Sequence, residues 1–379
     1  MLHPNQVLVL IFLSFANHAW TQIPNANKIP YSWKTDTAKH TYEFKELTIA
    51  AGKDAIPTLD FPRFILKNDP SYNFYAHEPA IVVSFGGEAR AYPLSILTLF
   101  ELSNDTVGGK NIMVSYCPMC NSALVFNRDI TTPMGEKTLR FGVSGLLIHN
   151  DMVMYDKETE TWWGQLTGEG IAGEHSGVAL KMMRALLISV EDFFDRYPNG
   201  KILAPLNLNS MTKKDGHKQF YHLEHGENLS KEYFLPEKVD KRLPPLEHVL
   251  GIHYQEHDRV YPYHVLAKKQ VIHETIGKTK VVIFYHEGMV SVLDEDTLSK
   301  SKKVGSAAPF VSRVNGMDLT FKKAGKYFKD DQTNSIWDIT GYCKEGKHQG
   351  VQLDILPHTN HFAFAYLAFF PKAEIYGLK

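Results

Sequence analysis

Residues 84–124 align without a gap on residues 253–293, and this internal match constrains the chain more than any other feature. Arg90-Ala91-Tyr92-Pro93 falls on Arg259-Val260-Tyr261-Pro262, and Asn104-Asp105-Thr106-Val107-Gly108 falls on His273-Glu274-Thr275-Ile276-Gly277. Ile112-Met113-Val114 falls on Val281-Val282-Ile283, and Tyr116 on Tyr285. Nine of the forty-one positions are identical and many others are conservative, which reads as an ancient duplication. Farther on, Thr159 to Trp163 resembles Thr333 to Trp337, each followed by a Thr-Gly turn (Thr167-Gly168 and Thr340-Gly341). Leu180 to Pro198 then aligns on Leu353 to Pro371. Two related halves packed about a pseudo-twofold axis are the expected outcome.

Within each half the pattern reads as a hairpin, a strand, further strand-like segments and then one helix. Ala80 to Phe85 and Ala89 to Pro93 flank the turn Gly86-Gly87-Glu88, and Pro93 is expected to end its strand or to sit on an edge. Leu94 to Leu102 reads as a short helical turn, and Asn104 to Lys110 as a second turn. The first-half helix is expected near Ser189 to Tyr197, with Ser189 as N-cap and Asp192 as its capping-box acid. The second is expected near His361 to Phe370, an apolar run that must be buried. Strand candidates outnumber helices, so the fold class is mainly β, with α+β as the alternative. The organisation predicted is a signal peptide at 1–20, a lead-in segment at 21–76, a first half at 77–200, a polar connector at 201–246 and a second half at 247–379.

The leader rests on Val7 to Ala16, an apolar run too short to span a bilayer, with Ala19 at the cleavage position. No other run is long enough for a transmembrane helix, so the mature chain is expected to be extracytoplasmic, periplasmic or secreted. Three cysteines are too few for a disulfide-stapled scaffold, and the hydrophobic core must hold the fold. A net charge of −1 with scattered Lys and Arg argues against nucleic acid as a partner. No Gly-rich phosphate loop, nucleophile elbow or zincin His-Glu pair supports a hydrolase.

The chemical signal is Tyr116-Cys117-Pro118-Met119-Cys120. Two thiols three positions apart suit a redox couple or a pair of ligands for a thiophilic metal. The duplication sharpens this, because Cys117 and Cys120 fall on His286 and Met289, so the pair belongs to one half alone. The first half also carries an insertion, Leu146 to Asp151, bringing His149 and followed by Met152 and Met154. The second half has His358 and His361 where the first has Ala185 and Ile188. Sulfur in one half and imidazole in the other make copper the first metal to consider and zinc the second, with Cys117, Cys120, His358 and His361 as the ligand set. The histidines share a face if they open a helix. Core packing is the default for Met152, Met154, Met289 and the tryptophans. A thioredoxin-like oxidoreductase is the alternative, weakened because Asn121 to Phe126 is strand-like rather than helical. A non-catalytic binding module with a structural disulfide is the other.

Together these stretches resemble the domain-of-unknown-function family 3179. Tyr92-Pro93-Leu94, Asn104 to Gly109, Tyr116 to Cys120 and Phe141 to Leu146 carry the resemblance, with Met154-Tyr155-Asp156, Trp163 to Gly168, Ala172-Gly173 and Pro357-His358 through His361-Phe362. It covers about residues 77–377 and implies an extracytoplasmic protein without implying an activity. His286 departs from the acidic residue usual there, and Cys343 lies outside the pattern and is expected to be a buried free thiol.

Overall fold

The computed structural model describes residues 21–22, 32–132, 135–205, 224 and 239–378. The expected signal peptide and most of the expected connector lie outside the described residues. The chain is mainly β, with α-helices of seven residues each between its strands.

Strand β1 (Pro79–Phe85) is buried on both faces through Val83, which is why it reads as a continuous apolar run. Gly86 and Gly87 turn the chain with φ of 54° and 82°, and β2 (Glu88–Pro93) returns with Pro93 opposite Ala80. A side chain on Gly86 would meet the Gly108 carbonyl oxygen at 2.6 Å, so two turns pack tip against tip here. Pro93 ends the strand as expected, and with ψ at 134° it caps helix α1 (Leu94–Phe100), every residue of which is buried. The helix stops at Glu101, whose φ of 53° is left-handed and whose N–H donates back to Leu97. β3 (Leu102–Val107), β4 (Lys110–Cys117) and β5 (Ser122–Asn127) then form a meander.

Beyond it, β6 (Phe141–Ile148) and β7 (Asp151–Asp156) pair as a long hairpin. β8 (Leu186–Ser189) leads into α2 (Val190–Arg196), where the Ser189 side chain accepts the Asp192 N–H and donates to the Asp192 carboxylate, as the capping pattern predicts.

The second stretch repeats the order of the first. It comprises β9 (His248–Tyr254), β10 (His257–Pro262), α3 (Tyr263–Lys269), β11 (Val271–Ile276) and β12 (Thr279–His286). Every boundary from β1 to β4 recurs at the displacement that places residue 84 on residue 253. Even the left-handed helix stop recurs, at Gln270 with φ 60°. Seven residues of mixed polarity give too short a period for α3 to be read from sequence. Two later motifs also recur. Trp163 Nε1–H donates to Asp156 at 3.0 Å and Trp337 Nε1–H to Asp330 at 2.9 Å, and each carboxylate also accepts the N–H of a threonine three residues on.

The chain closes with β13 (Thr359–Phe362) and α4 (Ala363–Phe369). A helix starting at His361 is therefore corrected: backbone pairing with sheet neighbours claims 359–362, and the helix starts at Ala363 once those partners run out. β13 also joins the two stretches. The seven-stranded sheet runs Glu374–Ile375, β10, β9, β13, β5, β4, β3, with Asn360 facing Leu250 on one side and Ala123 on the other. One apolar core takes in residues of both stretches, Val114 and Phe284 among them.

Candidate metal centre

The turn between β4 and β5 carries the cysteines. The Asn121 N–H donates to the Pro118 carbonyl at 3.2 Å, and Asn121 takes a left-handed φ of 50°. The strand β5 follows at once, so no helix begins at the cysteine turn. Phe362 N–H from β13 donates to the Cys120 carbonyl at 2.8 Å, fixing the turn to the end of the second half. Cys117 and Cys120 are both free thiols, 2% and 0% exposed.

Opposite the turn stands the tip of the β6–β7 hairpin. Ile148 pairs with Asp151, and His149 and Asn150 between them have φ of 50° and 66°, the two left-handed residues of a tight hairpin turn. This tip is the insertion seen only in the first half, and it delivers Asp151 to the cysteines. One ligand atom from each of Cys117, Cys120 and Asp151 lies within 4.8 Å of the other two, and all three residues are buried. Among the described residues, no other group of three or more His, Cys, Asp and Glu side chains comes together in this way.

The surroundings hold the trio in place and favour the neutral forms of Asp151 and Cys120. The Cys120 Sγ lies 2.9 Å from the Asn150 carbonyl oxygen, and the Cys117 Sγ is 4.0 Å from the same atom. Leu166 N–H donates to Asp151 Oδ2 at 3.0 Å. The Ser122 hydroxyl lies 2.9 Å from Asp151 Oδ1 and 2.6 Å from Gln165 Oε1. One hydroxyl hydrogen cannot serve both acceptors; a protonated Asp151 donating to Ser122, which in turn donates to Gln165, satisfies the set. Burial accordingly pushes the Asp151 carboxyl up to about 7. Burial, the neighbouring Cys117 thiol and then Asp151 raise the Cys120 thiol well above its ordinary value. Glu101, the buried left-handed residue that ends α1, is pushed up to about 8 by burial and by Asp151.

The two predicted histidines lie elsewhere. Along a strand an odd spacing points side chains to opposite faces, so three residues apart in this segment separates His358 from His361 where a helix would align them. His358 sits just before β13 with Nδ1 2.9 Å from the Leu356 carbonyl oxygen, beside Met182 and Met183. His361 is 1% exposed and lines a different cavity, with Asn121 and His248. The structure thus brings together Cys117 and Cys120 but adds Asp151 to them, and neither His358 nor His361 belongs to that group. Asp151 closes the insertion that sequence comparison isolates; a hairpin tip of that length was the available signal, and its last residue was passed over for His149. Met152 and Met154 are buried in the core, and Cys343 is free and buried, as expected. His286 ends β12 beside Lys323 and Asp192, away from the trio.

No curated protein and no solved structure matches the chain. Over residues 53–373, most of its length, the sequence matches the family described as a protein of unknown function (DUF3179), and the chain belongs to that family.

Proposed function

We propose that this protein is an extracytoplasmic metal-binding protein that holds one transition-metal ion through Cys117, Cys120 and Asp151. The observation that carries the reading is the meeting of the two features peculiar to the first half, the cysteine turn and the Asp151 hairpin tip. Both would be descendants of one duplication in which only this copy gained ligands. Ligands about 2.3 Å from an ion stand at most about twice that distance apart, so atoms already within 4.8 Å need little movement to close on one. Ser122, Leu166 N–H and Gln165 supply the outer contacts that orient such a carboxylate.

Two thiolates alone suit Cu(I), whereas a third, carboxylate oxygen is a harder donor and favours Zn(II). Zinc is therefore placed ahead of copper here, reversing the order read from sequence. Burial favours the neutral forms of Asp151 and Cys120, so binding an ion there releases protons and ties affinity to pH. The oxidoreductase reading has less support, since burial raises the Cys120 thiol and no helix N-terminus lies after Cys117 to favour a thiolate. Elemental analysis of protein purified from metal-replete medium, with thiol content measured in parallel, tests the proposal. About one equivalent of zinc or copper is expected. Less than about a tenth of an equivalent with both thiols intact refutes it.

A further inference from the structure

A cleft of about 380 Å³ opens between β2 and the end of α2, and none of its lining residues belongs to the proposed centre. That volume is in the range of small-molecule sites. Three cations line it: Arg90 of β2, Arg196 at the last position of α2, and Lys201 of the short strand Lys201–Leu203. Glu88 is the one carboxylate among the lining residues.

The duplication supplies an internal comparison. Lys201 lies opposite Arg90 on a parallel neighbour strand, and Glu374 lies opposite Arg259 in the same way. Arg90 and Arg259 are counterparts, so Lys201 and Glu374 hold equivalent places. In the second stretch the Glu374 carboxylate closes on Arg259 as an ion pair. In the first stretch an ammonium stands there instead, and like charges face each other across the strands, an unfavourable pairing. Arg196 is likewise confined to the first stretch, because the aligned residue is Phe369, which packs on His149.

The anions near the cleft are already committed. Arg90 Nη1 donates to both Asp105 oxygens at 2.6 and 2.5 Å, and Nη2 donates to Glu88 at 3.3 Å. Glu88 also accepts the Gly108 N–H at 3.0 Å. Arg196 is held flat instead, with its guanidinium carbon 3.6 Å from the centre of the Tyr342 ring and 4.5 Å from that of Tyr197. Stacking uses the faces of the guanidinium and leaves its in-plane N–H donors unspent. The buried Arg196 Nε has no hydrogen-bond partner among the described residues.

From this arrangement we infer that the cleft binds a small oxyanion, a phosphate or carboxylate compound, held by Arg196 and Lys201. The planar fork of Arg196 takes two oxygens of such a group, and Lys201 adds a point charge. Two cations without an internal counterion suit a dianion best. The ligand supplies from outside the carboxylate that Glu374 supplies from within in the second stretch. The site is independent of the metal centre.

The test is titration calorimetry of the full chain at low ionic strength, where salt screens such contacts least, with inorganic phosphate and with succinate. At least one probe should bind with a Kd below about 1 mM, and which one does separates phosphate from carboxylate chemistry. Lys201→Glu installs the residue of the second stretch and should weaken that binding by about tenfold or more. Its melting temperature should hold or rise, because the new carboxylate meets Arg90 as Glu374 meets Arg259. Arg196→Gln, which removes the fork, should weaken binding by a similar factor. No saturable binding of either probe below about 10 mM overturns the site, as does binding that either variant leaves unchanged.

Discussion

Cys120 Sγ sits 2.9 Å from the carbonyl oxygen of Asn150, so the second thiol is tied to the very bend that presents Asp151. The carbonyl is fixed by a two-residue turn with both φ positive, and the sulfur by a turn that ends in the left-handed Asn121. Two rigid turns facing each other make a better ligand cage than side chains on mobile loops.

The outer contacts of the trio should matter for metal and little for the fold. Ser122→Ala removes the hydroxyl between Asp151 and Gln165, and zinc affinity should fall about tenfold or more by chelator competition. Asp151→Asn, which loses a ligand charge, should lower it further. Affinity unchanged in both variants would place the ion elsewhere.

Glu101 gives a pH signature. Its folded-state value of about 8 is raised above 4.5, so its contribution is fully present below about 4.5 and is lost as pH rises through 8. Glu101→Gln removes this dependence. Relative to wild type, the variant should gain stability steadily between pH 5 and 8, by an amount on the order of a few kcal/mol, read from urea unfolding without metal. A constant difference across that range would contradict the assignment.

His361, neither of whose ring nitrogens has a hydrogen-bond partner among the described residues, has the opposite sign. Burial lowers its folded value to about 3 from 6.5, so the unfolded chain takes up the proton first as pH falls. Its contribution is present above 6.5 and is lost between about 6.5 and 3. Without metal, His361→Phe should be more stable than wild type by about 1–3 kcal/mol at pH 7, and the gap should widen toward pH 5. Urea unfolding at the two pH values measures both.

The recurring carboxylates allow the equivalence of the halves to be weighed. Asp156→Asn and Asp330→Asn each convert an acceptor of Trp and Thr donors into an amide that cannot accept them all. Each should cost about 2–4 kcal/mol, and the two costs should agree to within about 1 kcal/mol in thermal or chemical unfolding.

Much of this was legible in the residues. The hairpin of β1 and β2 could be read because Gly86 and Gly87 punctuate an apolar run, and α2 because Ser189 and Asp192 spell a cap. The alignment of the stretches placed the second hairpin on the first. The ligand set was half legible. Cys117 and Cys120 announce themselves by spacing, but Asp151 is thirty-one residues past Cys120 and joins it only through a hairpin turn. His358 and His361 misled because an apolar run after a proline looks helical, while the partners that make 359–362 a strand, Leu250 and Ala123, are distant in sequence. Periodicity reports local preference; a strand wedged between two others is decided by its neighbours.

That wedged strand sets an order of events. The cysteine turn is closed by the N–H of Phe362, 242 residues after Cys120 (362 − 120). Pairing Ala123 with Asn360 is among the longest loops the chain can close, and such contacts form late. The two thiols would therefore wait in an unfinished cage until β13 pairs into the sheet, and that pairing is what completes it.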